Sequence, residues 1–314
     1  MQKTLGIHHI TAIVGNPQEN INFYGEILGL RFVKKTVNFD DPSTYHFYFG
    51  DEIGSPGSIM TFFPWSNERQ GRIGSGQVGI TTFVVPEGAL SFWEDRLENK
   101  EVPYSSVTRF QESFLQFQDP HGLQLEIVAR GDGNQSHWEI NGIDTDHAIK
   151  GIGGAVLYTG SPYQTEELLT NVMGLKRISQ QGDYLRLESE GEIGNIIDIK
   201  LTASPRGEMG VGTVHHIAWR CNNRENQVNW RQHISTNGFF PTDMKDRQYF
   251  ESIYFQEKGG ILFEIATDEP GFTTDESKEN LGTTLKLPSW YEVHRDKIEQ
   301  NLEPVQIPTD KGGK

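Results

Sequence analysis

Ile7–Val14 reads IHHITAIV and Val214–Cys221 reads VHHIAWRC. Both are short apolar runs of strand-forming residues that carry a His-His-Ile step at the same point. Two more runs share their length and character without the histidines: Val78–Val85 (VGITTFVV) and Ile152–Thr159 (IGGAVLYT). Each run opens a segment with one internal plan, and self-similarity of this kind is the first thing to read in a sequence. The segments are Ile7–Phe63, Val78–Ala129, Ile152–Thr202 and Val214–Ala266. After its opening strand each has a helix-like stretch: INFYGEIL, ALSFWEDRLENK, TEELLTNVM and NQVNWRQHIST. In three of them a glycine follows the helix and leads into a new strand, at Gly29-Leu30, Gly174-Leu175 and Gly238-Phe239, as a C-terminal cap should. Alternating runs such as TYHFYFG and YFESIYFQE come next, and each segment ends in an apolar strand led by glycine: GSIMTFF, GLQLEIV, GNIIDIKL and GILFEIA.

The plan is β-α-β-β-β, used four times, which predicts an α+β fold. One such module leaves a sheet face bare, so modules must pair, and paired modules build a curved mixed sheet able to enclose a pocket. Residues 1–130 are expected to form an N-terminal pair of modules and 151–268 a C-terminal pair. Residues 131–150, polar and glycine-rich, read as the linker, and 269–314 as a C-terminal helix and tail, the helix falling in LKLPSWYEVHRDKIEQNLEPV.

Superposing the four modules on their own pattern sorts the polar residues. On the opening strands they carry His9, Gly79, Gly154 and His216. Four residues after the glycine that leads the last strand they carry Thr61, Glu126, Asp198 and Glu264. Alternation along the strands lets these positions share the concave face. If the first module pairs with the fourth, one cup holds His9, His216 and Glu264, with Thr61 where a second acid would stand. Two imidazoles and one carboxylate are the donor set of a non-haem Fe(II) centre with open positions. The second and third modules then form a histidine-free cup with Glu126 and Asp198, read as structural. Pairing the third module with the fourth would instead assemble Asp198, His216 and Glu264, and leaves His9 unused. A lone strand histidine is ordinarily a hydrogen-bonded core or surface residue, but a carboxylate inside an apolar strand needs a partner, and the repeated His-His-Ile supplies one. His8 and His215 either face the other side of their strands or assist as acid/base groups. His46, His121, His137, His147, His233 and His294 match no repeated position and read as surface residues. Phe23, Trp65, Phe239 and Phe240 are candidates for pocket walls or for core packing.

The 314 residues carry 28 Lys+Arg against 43 Asp+Glu, a net charge of −15, with no basic run, which argues against nucleic acid. No apolar stretch approaches the ~18 residues of a membrane span. The N-terminus shows no signal-peptide core, and with Cys221 alone no intrachain disulfide forms. A cytoplasmic protein is expected.

Four modules with two His-His-Ile steps and a late-strand glutamate resemble the vicinal oxygen chelate superfamily of glyoxalases, bleomycin- and fosfomycin-resistance proteins and extradiol dioxygenases. The resemblance spans nearly the whole chain. The pairing of IHHIT with VHHIA, and the C-terminal LKLPSWYEVHRDKIEQ, are more narrowly similar to the ring-cleaving dioxygenases that act on hydroquinones. The resemblance implies Fe(II), with Mn(II) as the substitute, held by His9, His216 and Glu264. It also implies pocket residues His8, Thr11 and His215, and Arg247 and Tyr254 to hold substrate or stabilise negative charge. A small aromatic and O2 would be the partners, with self-association into a homo-oligomer left open. Ordinary extradiol enzymes draw ligands from the third and fourth modules. Gly154 in the third module departs from that pattern and favours the hydroquinone type. The rival readings are a glyoxalase-type isomerase or thiol transferase, for which Thr61 stands where a fourth ligand belongs, and a metal-free small-molecule binder.

Overall fold

The computed structural model describes residues 2–307; residues 308–314 of the expected tail lie outside the described residues. All four modules form. The first contributes β1 (Ile7–Val14), α1 (Pro17–Ile21), β2 (Arg31–Asn38), β3 (Asp41–Gly50) and β4 (Ile59–Pro64). The second contributes β5 (Gln77–Val85), α2 (Leu90–Asn99), β6 (Tyr104–Arg109), β7 (Glu112–Gln118) and β8 (Gln124–Ala129). The third contributes β9 (Gly151–Tyr158), α3 (Pro162–Glu167), β10 (Lys176–Gln181), β11 (Tyr184–Glu188) and β12 (Ile196–Lys200). The fourth contributes β13 (Thr213–Cys221), α4 (Arg224–Thr236), β14 (Lys245–Asp246), β15 (Phe250–Gln256) and β16 (Leu262–Pro270).

Local chemistry sets the helix ends. The Asn16 side chain accepts from the N–H groups of Gln18 and Glu19, and Pro17 follows at the first helical position. α1 and α3 each run on into a π-helical turn, Asn22–Ile27 and Leu168–Val172. Gly29 and Gly174 then take φ of +68° and +82°, the left-handed conformation that lets the chain leave the helix for the next strand. Each helix lays its apolar stripe on a sheet: Trp93 and Leu97 of α2, and Trp230 and Ile234 of α4, are fully buried.

The strands make two eight-stranded mixed sheets, ordered β14-β15-β16-β13-β1-β4-β3-β2 and β10-β11-β12-β9-β5-β8-β7-β6. The first module is thus hydrogen-bonded to the fourth and the second to the third, so each sheet joins the two halves of the chain. In each module the first strand pairs in parallel with the last, and modules meet through antiparallel first strands, β1 with β13 and β5 with β9.

Both antiparallel seams carry β-bulges, and these place the site. Between Ile7 and His9 the register slips by one residue at His8. Between Thr11 and Ala12 it slips again, opposite His215. The second sheet slips likewise at Gly79 and at Gly153. Gly79 is therefore the counterpart of His8, and Ile80, two residues before Thr82 where Thr82 pairs with Glu126, is the counterpart of His9. The superposition by sequence that set Gly79 beside His9 is off by one residue there.

After β16 the chain crosses the first sheet as a strap. Fully buried Lys34 holds it through Asp275 and Glu276, each at 2.5 Å. The single C-terminal helix expected is two short ones, α5 (Ser289–Glu292) and α6 (Arg295–Asn301), broken at His294. Tyr291 of α5 donates to the Phe39 carbonyl, and Ile298 and Leu302 are buried.

Candidate metal centre

His9, on β1, and His216, on β13, face each other across the module seam, where His9 pairs with Ala218 and Thr11 with His216. Glu264 reaches the same point from β16, whose register sets it beside Ala218. The first–fourth pairing is the one that forms, and Asp198 lies in the other sheet. One ligand atom from each of His9, His216 and Glu264 falls within 4.8 Å of the others, and all three side chains are buried. His216 Nε2 stands 2.8 Å and His9 Nε2 3.3 Å from Glu264 Oε2, with 3.4 Å between the two nitrogens. Ser252 donates to Glu264 Oε1, whereas Oε2 has no hydrogen-bond partner. A buried carboxylate oxygen without a donor is costly. Two imidazole nitrogens aimed at it in the same small space are the donor set a divalent cation wants. The residues present fit such an ion.

The bulges turn the adjacent histidines inward. His8 Nδ1 lies 2.9 Å from His9 Nδ1, and His215 Nδ1 lies 2.7 Å from His216 Nδ1. Alternation alone would send neighbours to opposite faces; the extra residue of a bulge cancels it. Burial, reinforced by His9, pushes His8 well below the ordinary histidine range. Burial, reinforced by His216, lowers His215 to about 3, so both imidazoles are neutral near pH 7. Burial also lowers His216, against the pull of Glu264. Burial pushes the Glu264 carboxyl upward, but His9 and His216 outweigh it and hold it well below the usual carboxylate range.

A cavity of about 210 Å³ opens over His9 and His216, with Glu264 fully buried next to them. Its walls include His215, Phe250, Tyr254, Arg247, Phe63 and Trp65. Phe63 and Trp65 stack nearly parallel, 11° apart. Arg247 donates to Tyr254 Oη (3.2 Å) and to Asp40 (2.9 Å), which ties the fourth module's hairpin to that of the first at the cavity mouth. Burial raises the Tyr254 hydroxyl, so it stays protonated. Of the expected pocket residues, His215, Arg247, Tyr254 and Trp65 line this cavity. His8 is buried behind His9 and against Phe250. Thr11 lies beneath the floor, bonded to Thr61 at 2.9 Å. Phe23 packs in the core on Tyr24 and Phe117, Phe239 packs on Phe255, and Phe240 is 92% exposed.

Of the histidines expected on the surface, His121 is buried and His46 is half-buried. His121 is inside, with Gly15 donating to its Nδ1. His46 is in the cavity wall. Its Nε2 is 2.7 Å from Thr61 Oγ1 and its Nδ1 2.9 Å from Tyr48 Oη. Burial holds it well below the ordinary range. The signal was present in TYHFYFG: alternation puts His46 and Tyr48 on one face and Phe47 and Phe49 on the other.

In the second cup, Arg109 donates to Glu126 (2.6 Å) and Asp198 (2.7 Å), and Arg186 donates to Asp198 at 2.8 and 2.9 Å. Thr82 and Gln116 complete the bonds to Glu126. Guanidinium groups supply the positive charge there.

Known proteins resemble this chain to different degrees. Over 306 residues, 98% of each chain, the sequence is 57% identical to the "Putative ring-cleaving dioxygenase MhqO" of Bacillus subtilis. A crystal structure titled as a putative dioxygenase from Bacillus subtilis superposes with a TM-score of 0.97 at 56% identity, covering 98% of this chain and 99% of that one. The "Chlorohydroquinone/hydroquinone 1,2-dioxygenase" of Sphingobium indicum is 31% identical over 317 residues, 98% of each chain. Residues 6–127 and 151–265 match the Glyoxalase/Bleomycin resistance protein/Dioxygenase superfamily, to which this chain belongs.

Proposed function

We propose that the chain is a ring-cleaving dioxygenase that binds Fe(II), with Mn(II) as an alternative, at His9, His216 and Glu264. It acts on hydroquinone-type aromatics and inserts both atoms of O2 next to a hydroxyl-bearing ring carbon, in the extradiol manner. One observation carries this reading. Two imidazoles that line a cavity with aromatic walls converge on a buried, donorless carboxylate oxygen. The relatives' printed names support the reaction class. Once bound, the metal would bring a ring hydroxyl and O2 together and let electrons pass between them.

The chain's own residues do the rest. With His9 Nε2 and His216 Nε2 as the ligand atoms, each ring would carry its proton at Nδ1. His216 Nδ1–H then donates to His215 Nδ1, which leaves Nε2–H of His215 as the donor it offers at the cavity. That group holds the substrate hydroxyl and passes a proton when the ring opens. Arg247, fixed by Asp40 and Tyr254, stabilises oxyanion charge at the cavity wall. Phe63, Trp65 and Phe250 accept the ring by stacking. Thr61 gives no carboxylate to the centre, and the isomerase reading loses its fourth ligand.

The test is oxygen uptake by anaerobically Fe(II)-loaded protein given methylhydroquinone or catechol, with His216→Ala as control. Uptake with the hydroquinone that the variant loses is the expected result. Uptake with catechol alone would overturn the substrate class, and no uptake with iron bound would overturn the reaction.

A further inference from the structure

The first sheet has an internal two-fold axis, and the candidate centre lies on it. His9 pairs with Ala218 and Thr11 with His216 across the seam, so His9 and His216 are counterparts, as are Thr11 and Ala218. One strand further out, Thr61 beside Thr11 is the counterpart of Glu264 beside Ala218. Tyr48 pairs with Thr61 as Tyr254 pairs with Glu264. Two residues earlier on these outer strands stand His46 and Ser252. In one half Ser252 bonds the Glu264 carboxylate; in the other His46 Nε2 bonds the Thr61 hydroxyl at 2.7 Å. The long and short members of each pair are exchanged between the halves. Ser252 is short and Glu264 long, whereas Thr61 is short and His46 long.

From this exchange we infer that His46 is a positioning residue that fills the place a fourth protein ligand would take. It ties down Thr61 and leaves that corner of the centre to exogenous ligands. Both His46 nitrogens are committed, to Thr61 and to Tyr48, so the ring closes the gap without itself ligating. Thr61 is held from the other side by Thr11 at 2.9 Å. The cavity wall includes His46 next to His9 and His216, so its removal opens space beside the centre. A three-residue site would leave an ion positions for more than one external group. A fourth protein ligand would leave fewer. His46 and Thr61 together therefore set how many external groups the ion can take, and with that the choice between oxygen chemistry and reactions that need only one bound substrate. This inference rests on the metal site proposed above.

The experiment reads metal binding and coordination, not turnover. Mn(II) is titrated into metal-free wild-type protein, the double variant Thr61→Glu/His46→Ser, and His46→Gly. Water-proton relaxation reports the exchangeable waters on the ion. Wild type should bind one Mn(II) with several exchangeable waters. The double variant, its pattern now matching that of Ser252 and Glu264, should bind Mn(II) more tightly by roughly 10–100-fold, the scale on which partners around a metal act. It should also lose one water from the relaxation count. In His46→Gly, which needs no new ligand to pack, formate should enter the opened space and tighten Mn(II), with no such effect in wild type. A folded double variant with unchanged affinity and water count would overturn the inference, as would formate acting equally on wild type and His46→Gly. Failure of wild type to bind Mn(II) or Fe(II) would instead overturn the metal site, and the inference with it.

Discussion

His8 stands Nδ1 to Nδ1 with His9 at 2.9 Å although the two are neighbours on one strand, and a β-bulge alone makes this contact. His215 and His216 repeat it at 2.7 Å across the two-fold axis. In each pair one nitrogen must donate and the other accept. When His9 and His216 give Nε2 to an ion, the outer histidine must be the acceptor. The outer ring thus fixes tautomer and orientation, as carboxylates or carbonyls do around many metal-bound histidines.

Replacing an outer histidine should therefore weaken metal binding without destroying it. His8→Ala and His215→Ala should each lose roughly 10–100-fold in Fe(II) or Mn(II) affinity, measured by competition with a chelator. His8→Ala should act mainly on affinity, since the residue is buried behind His9. His215→Ala should also lower kcat in metal-saturated protein, because His215 lines the cavity. Equal kcat losses at saturation would remove the distinction drawn between them.

Stability should fall with pH well above the carboxylate range. Burial lowers His8, His46, His215 and His216 in the folded protein. The unfolded chain, with histidines near 6.5, binds protons that the folded state excludes. Folding is then favoured above 6.5 and loses ground as pH drops through that value, by ~1.4 kcal/mol per pH unit for each such histidine. Glu264, held low in the fold, acts in the same direction below 4.5. Denaturant titrations of metal-free protein between pH 7 and 5 should show this slope, and His46→Gln should reduce it by one histidine's share. A flat profile would mean that these rings are hydrated in solution.

The modules, their turn glycines and the trio His9, His216 and Glu264 were legible because superposed repeats expose a polar residue at a fixed point of an apolar strand: the histidine in two copies and the acid in three. What stayed hidden lies where modules differ or meet. His46 has Ser252, not another histidine, as its counterpart, so no repeat marks it. Bulges leave no trace in residue type, so Gly79 was set one place off, and whether His8 faced inward could not be read. The partners of Glu126 and Asp198 come from hairpin strands of two modules, Arg109 from β6 and Arg186 from β11, a pairing that only the sheet order reveals.

Arg247 presents a fork held by two fixed acceptors, Tyr254 Oη and Asp40. A lysine keeps the charge but not the fork. Arg247→Lys should leave Mn(II) affinity within about twofold and lower kcat with a hydroquinone by about 100-fold, the usual loss when one donor to a developing oxyanion is removed. Asp40→Asn should have a smaller effect, since Tyr254 still orients the guanidinium. Steady-state oxygen uptake on metal-saturated protein measures both. If Asp40→Asn exceeds Arg247→Lys, the contact serves to close the mouth and not to stabilise charge.

Arg109 tests the division of labour between the two cups. Its guanidinium is 6% exposed and bridges Glu126 and Asp198, each almost fully buried. Removing one partner of a buried ion network leaves charge uncompensated in a poorly solvated place and typically costs about 3–5 kcal/mol. Arg109→Met should therefore lower the denaturation midpoint sharply at pH 7. Metal affinity at the other sheet should not change, because no ligand or outer histidine touches this cluster. Adding Glu126→Gln and Asp198→Asn to Arg109→Met should recover much of the loss, since no unpaired charge then remains inside. Arg186 would keep its bonds to Glu112 and one of its two bonds to position 198, since the Asn amide nitrogen cannot accept. If the neutral triple variant is no more stable than Arg109→Met, the cluster acts through the shape of its hydrogen bonds and not through charge balance. Loss of Mn(II) binding in a folded Arg109→Met would show that the second cup is coupled to the first.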